Sequence, residues 1–267
     1  TERTPFPVCT ESDYSYVLHP KTLGFLEDVR LFCEMASQKW GGVEEMGWWA
    51  LLGLLRAISS SPVAVVASLK SRLEHIPTKA ELLSTQSISQ TSDNDITSDG
   101  HINDQVPMLN IEYTKGLEAL YQKALGLEHF DNKLKQGAKK IIKLATNGRN
   151  IIIFCRFANT VHYVYDYLKK KSALSAVRVV RITGEDSHLD RLRIIEECED
   201  FEQRILICTD CMSEGIDLQY LFDVVFHYDL SWNPTRHEQR AGRINRFGQI
   251  NSEVSSFQFS GQNKPKD

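Results

Sequence analysis

Three arginines, Arg240, Arg243 and Arg246, recur at three-residue spacing in the stretch that follows Pro234. Proline suits a first helical turn, where its missing N–H is harmless, so the run reads as a helix from Pro234 to Asn245. Residues three apart share roughly one side of a helix. Three guanidiniums so placed repel one another unless anions lie between them. Arginine stays charged and grips phosphate through two parallel hydrogen bonds, so a polyanion is the natural counterpart.

The stretch before them is polar and glycine-containing. Thr209 and Ser213 offer hydroxyls to phosphate oxygens, contacts that position a nucleic-acid strand without reading its sequence. The same residue types also cap helices, and that bland role competes for Ser213. Gly215 permits close backbone approach or a positive φ. Cys208 and Cys211 form a C-x-x-C, but no second pair stands at metal-binding spacing, and Cys208 closes an apolar strand, so neither zinc nor redox chemistry is expected. His227 and Asp229 have no accompanying nucleophile motif. A G-x-x-x-x-G-K-[ST] phosphate loop, an acidic D-E-x-x pair and a G-x-G-x-x-G turn are all absent from the sequence.

These residues must be positioned by something. Apolar runs of strand length occur at Ile151–Cys155, Val177–Ile182, Ile205–Cys208, Val224–Tyr228 and near Val254–Phe259. Helical patterns alternate with them at Glu128–Thr146, Asn159–Lys170, Ser187–Cys198, Ser213–Leu221 and Pro234–Asn245. Such alternation with short loops implies an α/β fold, a parallel sheet with helices on both faces. Ligands of such sheets lie at the carboxyl ends of the strands. Arg156, Thr183-Gly184-Glu185, Thr209-Asp210 and Asp229 fall there. Lys133 and Lys143 extend this basic set only if they are more than solvated helix-surface lysines.

Ahead of this lies a helical region. Residues 1–20 show no clear period and read as a surface arm. Thr22–Gln38 and Val43–Ser60 read as helices, and Ser61-Pro62 starts a third that runs to about His75. A further helix is expected around Leu117–Leu125. Ser84–Pro107 holds eight Ser/Thr and four Asp in 24 residues, without Lys, Arg or aromatics. Such a segment buries too little apolar area to offset its ordering entropy and reads as a flexible linker. The expected division is a helical brace at 1–83, a linker or insertion at 84–110, and an α/β lobe at 111–267.

The motifs resemble those of superfamily-two helicases and translocases. Thr209-Asp210 with Ser213-Glu214-Gly215-Ile216-Asp217-Leu218-Gln219 is similar to the fifth motif. Gln239-Arg240-Ala241-Gly242-Arg243-Ile244-Asn245-Arg246 is similar to the sixth. His227–Arg236 and Arg246-Phe247-Gly248-Gln249 resemble the Swi/Snf-type branch, and most of all its bacterial RapA-like members. The resemblance covers Ile151–Gln249, with Trp48–Arg72 added. It implies a RecA-like, P-loop-NTPase-type fold for the lobe. It implies that Arg243 and Arg246 are arginine fingers for ATP held, with its Mg²⁺, on a missing first RecA-like lobe. Fingers of this kind contribute about 10³–10⁵ in turnover. Gln239, Gly215 and Asp217 would face the nucleotide, Asp217 accepting from a ribose hydroxyl. Arg156, Thr183, Gly184, Thr209 and Ser213 would touch the nucleic-acid backbone, most naturally double-stranded DNA. The competing class is a stand-alone RecA-like docking module without an ATP role.

Composition limits the options. The chain has 267 residues, 42% hydrophobic and 25% charged, with a net charge of −4. That balance excludes general electrostatic coating of nucleic acid. Residues 1–110 carry 8 Lys/Arg against 14 Asp/Glu, whereas 111–267 carry 23 against 21, so a polyanion site must be a local patch in the second part. Six scattered cysteines suit reduced thiols and a cytoplasmic setting. The longest near-apolar run, Met46–Ile58, is too short to span a bilayer. The sequence does not begin with Met, which suits a piece of a longer protein.

Overall fold

The computed structural model describes residues 6–39, 44–74, 111–212 and 218–262. The expected linker, and Ser213, Gly215 and Asp217, lie outside the described residues. The chain divides into two compact units, Thr1–Leu18 with Asn132–Asp267, and His19–Asp131.

The first unit is a six-stranded sheet. Its strands are β1 (Val8–Val17), β2 (Ile151–Phe154), β3 (Arg178–Ile182), β4 (Arg204–Cys208), β5 (Val224–His227) and β6 (Glu253–Gln262), in the order β1-β6-β5-β2-β4-β3. All neighbouring pairs are parallel. The central strand β2 reads Ile-Ile-Ile-Phe and is fully buried on both faces, as a strand covered from both sides must be. Alternate residues feed two cores. Ile151, Ile153, Ile205, Ile207, Val224 and Phe226 meet the helices Asn132–Thr146 and Ala158–Lys169. Ile152, Phe154, Leu206 and Val225 meet the helix His188–Glu199 together with Met212, Leu218, Phe222 and Ile244. This is the expected RecA-like arrangement.

The amino-terminal segment is a strand and not a surface arm. β1 runs along β6 from Val8↔Glu253 to Val17↔Gln262. Tyr14 and Tyr16 anchor it, with ring centroids 5.5 and 4.6 Å from that of Phe259. An edge strand pairs on one side only, so it needs fewer apolar residues than β2. The close fit continues beneath it: a Cβ on Gly137 would stand 2.9 Å from the Phe259 ring, so only glycine lets this helix approach.

The second unit is helical: α1 (Pro20–Lys39), α2 (Glu44–Ser60), α3 (Pro62–Glu74) and α4 (Ile111–Ala124), then a 3₁₀ turn at Leu127–Phe130. Ser61 caps α3 by accepting from the Ala64 N–H at 3.1 Å. Val29, Leu54, Val65, Leu69 and Leu117 are among its buried core residues. The helix expected to run unbroken from Glu128 instead starts at Asn132. Gly126, at φ +84, turns the chain first into the 3₁₀ segment.

In the sheet unit the helices are α5 (Asn132–Thr146), α6 (Ala158–Lys169), α7 (His188–Glu199) and α8 (Pro234–Ala241). Helix α8 is shorter than its motif spacing suggested. It stops at Ala241, with Gly242 as its C-cap. The Arg243 N–H then turns back to the Arg240 carbonyl, three residues away, at 3.2 Å. Between Asp210 and Phe222, where a short helix was expected, the described residues form a 3₁₀ turn at Asp210–Met212 and turns from 219 to 221.

Candidate functional site at the carboxyl ends of the strands

The chain leaving β2 passes to the face covered by α5 and α6, whereas the chains leaving β4 and β5 pass to the other face. Neighbouring strands that send their connections to opposite faces open a crevice at their carboxyl ends. The register aligns Phe154 with Cys208 and His227, and Cys208 with Ile182. The residues just past these strand ends therefore share one rim: Arg156, Thr183-Gly184, Thr209-Asp210 and Tyr228-Asp229.

Arg240 defines the rim's interior. It is 1% exposed, although it carries a permanent charge. Its Nε donates to Asp210 Oδ1 at 2.6 Å and its Nη2 to Asp210 Oδ2 at 2.9 Å, a two-pronged fork. Its Nη1 donates to the Asp229 carbonyl at 2.9 Å, and its guanidinium lies 5.2 Å from the Phe154 ring centroid. Arg236 reaches the same Asp210 carboxylate at 3.4 Å. The anion that the arginine spacing demanded is, for Arg240, a protein carboxylate thirty positions upstream. The three arginines also do not share one helix. Arg243, half-buried, and Arg246, exposed, lie in the turns beyond Gly242. Gln239 is exposed on the last turn of α8.

A second ion pair closes the rim from the α5 side. Lys133 Nζ donates to Asp229 Oδ1 at 2.7 Å, with both side chains under a tenth exposed. The ammonium also lies 4.2 Å from the Tyr228 ring centroid. The other Asp229 oxygen accepts from the Arg156 N–H at 2.8 Å. Arg156 is thus fixed through its backbone while its side chain stays half-exposed. Lys133 is a structural cation and not part of a solvated patch. Its helix-surface pattern gave no sign of a partner 96 positions away.

Two of the expected phosphate donors face inward. Thr183 is 1% exposed; its N–H and hydroxyl both donate to Asp186 Oδ2, at 2.7 and 3.2 Å. Thr209 is 4% exposed and its hydroxyl donates to Cys211 Sγ at 3.2 Å. Gly184 is exposed, and its carbonyl accepts from Arg191 at 3.1 Å. These two threonines shape the rim loops.

Beneath the rim, the His227 ring lies tilted against that of His237, at 4.8 Å between centroids, and its Nε2 meets Ser256 Oγ at 3.1 Å. Burial first, then the charge of Arg240 and the neighbouring His237, push its pKa down to about 3, so it is neutral. All six cysteines are free thiols. Burial holds the Cys155 and Cys208 thiols well above the usual thiol range. Among the described residues no cluster of His, Cys, Asp or Glu could hold a metal ion, and no helix is long and apolar enough to cross a membrane.

Residues 133–248 match the helicase conserved C-terminal domain. The chain is 34% identical over 97 residues to the ATP-dependent RNA helicase fal1 of Schizosaccharomyces pombe, a match that covers 36% of this chain and 23% of that protein. The chain thus spans about a quarter of the length of that relative. Among solved structures, the C-terminal part of the Fun30 ATPase domain superposes with a TM-score of 0.57 at 16% identity, covering 97% of this chain and 87% of that one. The Sulfolobus solfataricus SWI2/SNF2 ATPase core in complex with dsDNA gives 0.58 at 17% identity, covering 95% and 41%. At such identities the likeness concerns the fold. Residues 133–248 are therefore similar to the helicase conserved C-terminal domain, and the sheet that carries them has the RecA-like parallel arrangement.

Proposed function

We propose that this chain is the second motor lobe of an ATP-dependent superfamily-two translocase of Swi/Snf, RapA-like type, acting on double-stranded DNA. The observation that carries the reading is the separation of the three arginines. Arg240 is consumed inside the lobe by Asp210, while Arg243 and Arg246 sit past the helix end at the half-buried and exposed surface. An ATP-bearing first lobe, supplied elsewhere in a longer parent protein, is the partner that such a rim fits. Gln239, Arg243 and Arg246 would face its nucleotide, and the motif resemblance adds Gly215 and Asp217 to that set. ATP, held with its Mg²⁺ on that lobe, would supply the transferable phosphoryl group, and this chain's guanidiniums would neutralise charge that grows in the transition state. Arg156, Gly184 and Ser213 would meet the nucleic-acid backbone, with Thr183 and Thr209 shaping the loops that present them. The bacterial and RapA-like parts of the reading rest on the resemblance of the motifs, and the cytoplasmic part on the scattered cysteines.

The test is steady-state ATP turnover in the parent protein with duplex DNA, alongside nucleotide binding. Arg243→Ala or Arg246→Ala should lower turnover about 10³-fold, on the arginine-finger scale, and nucleotide affinity far less. This chain alone should not hydrolyse ATP. Robust hydrolysis by the isolated chain, or near-normal turnover in both variants, would overturn the finger assignment and favour a docking module. A second reading, RNA in place of DNA, is supported by the similarity to fal1. The same assay with duplex RNA and single-stranded RNA discriminates: turnover stimulated by RNA and not by DNA selects it.

A further inference from the structure

Helix α5 carries five lysines and neither Asp nor Glu in its fifteen residues. The five differ in what their side chains meet. Lys133 is buried against Asp229. Lys140 lies over the Phe257 ring at 4.5 Å. Lys135, Lys139 and Lys143, at i, i+4 and i+8, are exposed along one side of the helix. Cations in a first helical turn oppose the helix dipole, so Lys135 is placed against the local electrostatic preference. The helix begins at the rim, where Lys133 meets Asp229, and runs down toward the start of β2 at Ile151. There the 3₁₀ turn Ser172–Leu174 packs against it. The residues just before that turn are Lys169, Lys170 and Lys171. Lys171 sits 3.9 Å from the Tyr167 ring centroid and Lys169 sits 5.2 Å from that of Tyr165. On α6 the only acidic residue is Asp166. The exposed α5 lysines, with Lys171 beside the 3₁₀ turn that packs against the helix, thus form a basic row that descends from the rim, in a protein whose net charge is −4.

We propose that this face is a track for the phosphate backbone of nucleic acid extending beyond the rim. The inference rests on the functional reading above, and adds a second contact surface to it. Four helical residues rise about 6 Å, so Lys135 to Lys143 cover about 12 Å. One strand of a duplex carries a charge about every 3.4 Å of axis, so three to four phosphates can face this row at once. A regularly charged polymer fits a regular row of ammoniums better than an irregular acidic peptide does. The contacts are sequence-independent and their strength depends on salt.

The experiment is binding of this chain to fluorescein-labelled duplex DNA, a short one and one several turns longer, across a range of salt. The variant is Lys135→Gln/Lys139→Gln/Lys143→Gln, all exposed positions, with circular dichroism to check folding. A variant with equal charge loss, Lys21→Gln/Lys70→Gln/Lys115→Gln in the helical unit, is the control. For the longer duplex the slope of log affinity against log salt should fall by about two to three in the track variant, and affinity should fall about tenfold or more. The control and the short duplex should change little. Unchanged slope and affinity in the track variant, while Arg156→Ala weakens binding, would overturn the track and leave the motor-lobe reading standing. Equal losses in both triple variants would reduce the effect to net charge and also overturn it. Tighter binding of poly-glutamate than of duplex, lost in the track variant, would assign the face to an acidic protein segment instead. No binding of any duplex by the wild-type chain would overturn the track, and the parent ATPase assay would then decide the motor-lobe reading separately.

Discussion

Asp210 and Arg240 form a two-pronged ion pair that joins the end of β4 to the last turn of α8, at 2.6 and 2.9 Å. The arginine is the more deeply buried partner, with 2% of its side chain exposed against 18% for the aspartate. One carboxylate thereby fixes the distance between the strand end at Thr209 and the turn that bears Arg243 and Arg246.

Removing one member of such a pair strands the other. Asp210→Ala should destabilise the sheet unit by about 2–4 kcal/mol, at the lower part of the scale for broken buried pairs because the aspartate is partly solvated. Arg240→Met should cost a similar amount, since the Asp229 carbonyl also loses its donor. The double variant should cost at least about 1 kcal/mol less than the sum. Urea unfolding of the four proteins measures this, and additive losses would mean that the fork contributes no coupling.

Lys133 and Asp229 offer a sharper version of the same argument, because both are buried. Lys133→Met leaves a carboxylate held by the Arg156 N–H and should cost about 3–5 kcal/mol. Adding Asp229→Asn removes the stranded charge, so the double variant should be more stable than Lys133→Met alone. A double variant that is less stable than the single would show that the carboxylate is comfortable without its lysine.

His227 sets an acid limit on the fold. Its folded pKa is depressed to about 3, chiefly by burial, so the unfolded chain binds the proton more readily. Stability from this residue is complete above its ordinary pKa of about 6.5 and is lost as pH falls from there toward 3. His227→Gln keeps a side chain able to meet Ser256 and does not titrate. Unfolding free energy measured at pH 7, 5.5 and 4 should fall less steeply for His227→Gln than for wild type. Parallel profiles would mean that other groups govern the acid transition.

The parts of the fold legible in the sequence were those set by local pattern. Ile151–Phe154 is apolar at every position, which only a strand covered on both faces requires, and the helix from His188 is announced by Ser187, which caps it by accepting from Asp190 N–H at 3.2 Å. β1 escaped because Glu11, Ser12 and Asp13 interrupt its apolar residues, and an edge strand beside β6 tolerates that. Arg240 and Lys133 were indistinguishable from surface cations, because their partners are 30 and 96 residues away in the chain. The end of α8 was misplaced because a run of three-residue spacings continues through Gly242, where the hydrogen bonding does not. Thr183 and Thr209 sat at the right strand ends, but spacing cannot say whether a hydroxyl points to solvent or to its own loop.

Gln249 holds the turn that follows α8. Its Nε2 donates to the carbonyls of Ile244 at 3.0 Å and Phe222 at 3.1 Å, and its Oε1 accepts from the Asn251 N–H at 3.1 Å. The turn between them depends on Gly248 at φ +91, where a Cβ would also stand 3.2 Å from the Tyr220 hydroxyl. Gln249→Ala removes all three bonds and should cost about 1–3 kcal/mol, at about 0.5–1.5 kcal/mol for each, partly offset where water replaces the lost partner. Gly248→Ala adds about 1–2 kcal/mol of left-handed strain. Both losses should be local. Amide hydrogen exchange from Arg243 to Gln249 should accelerate at least tenfold, while Ile151–Phe154 stays protected. If Arg243 and Arg246 act on nucleotide, Gln249→Ala in the parent protein should lower turnover more than nucleotide affinity, because the guanidiniums are present but no longer held in place. Unchanged exchange across the turn would show that the glutamine is not its staple. Faster exchange with normal turnover would show that the two arginines do not depend on the turn's geometry.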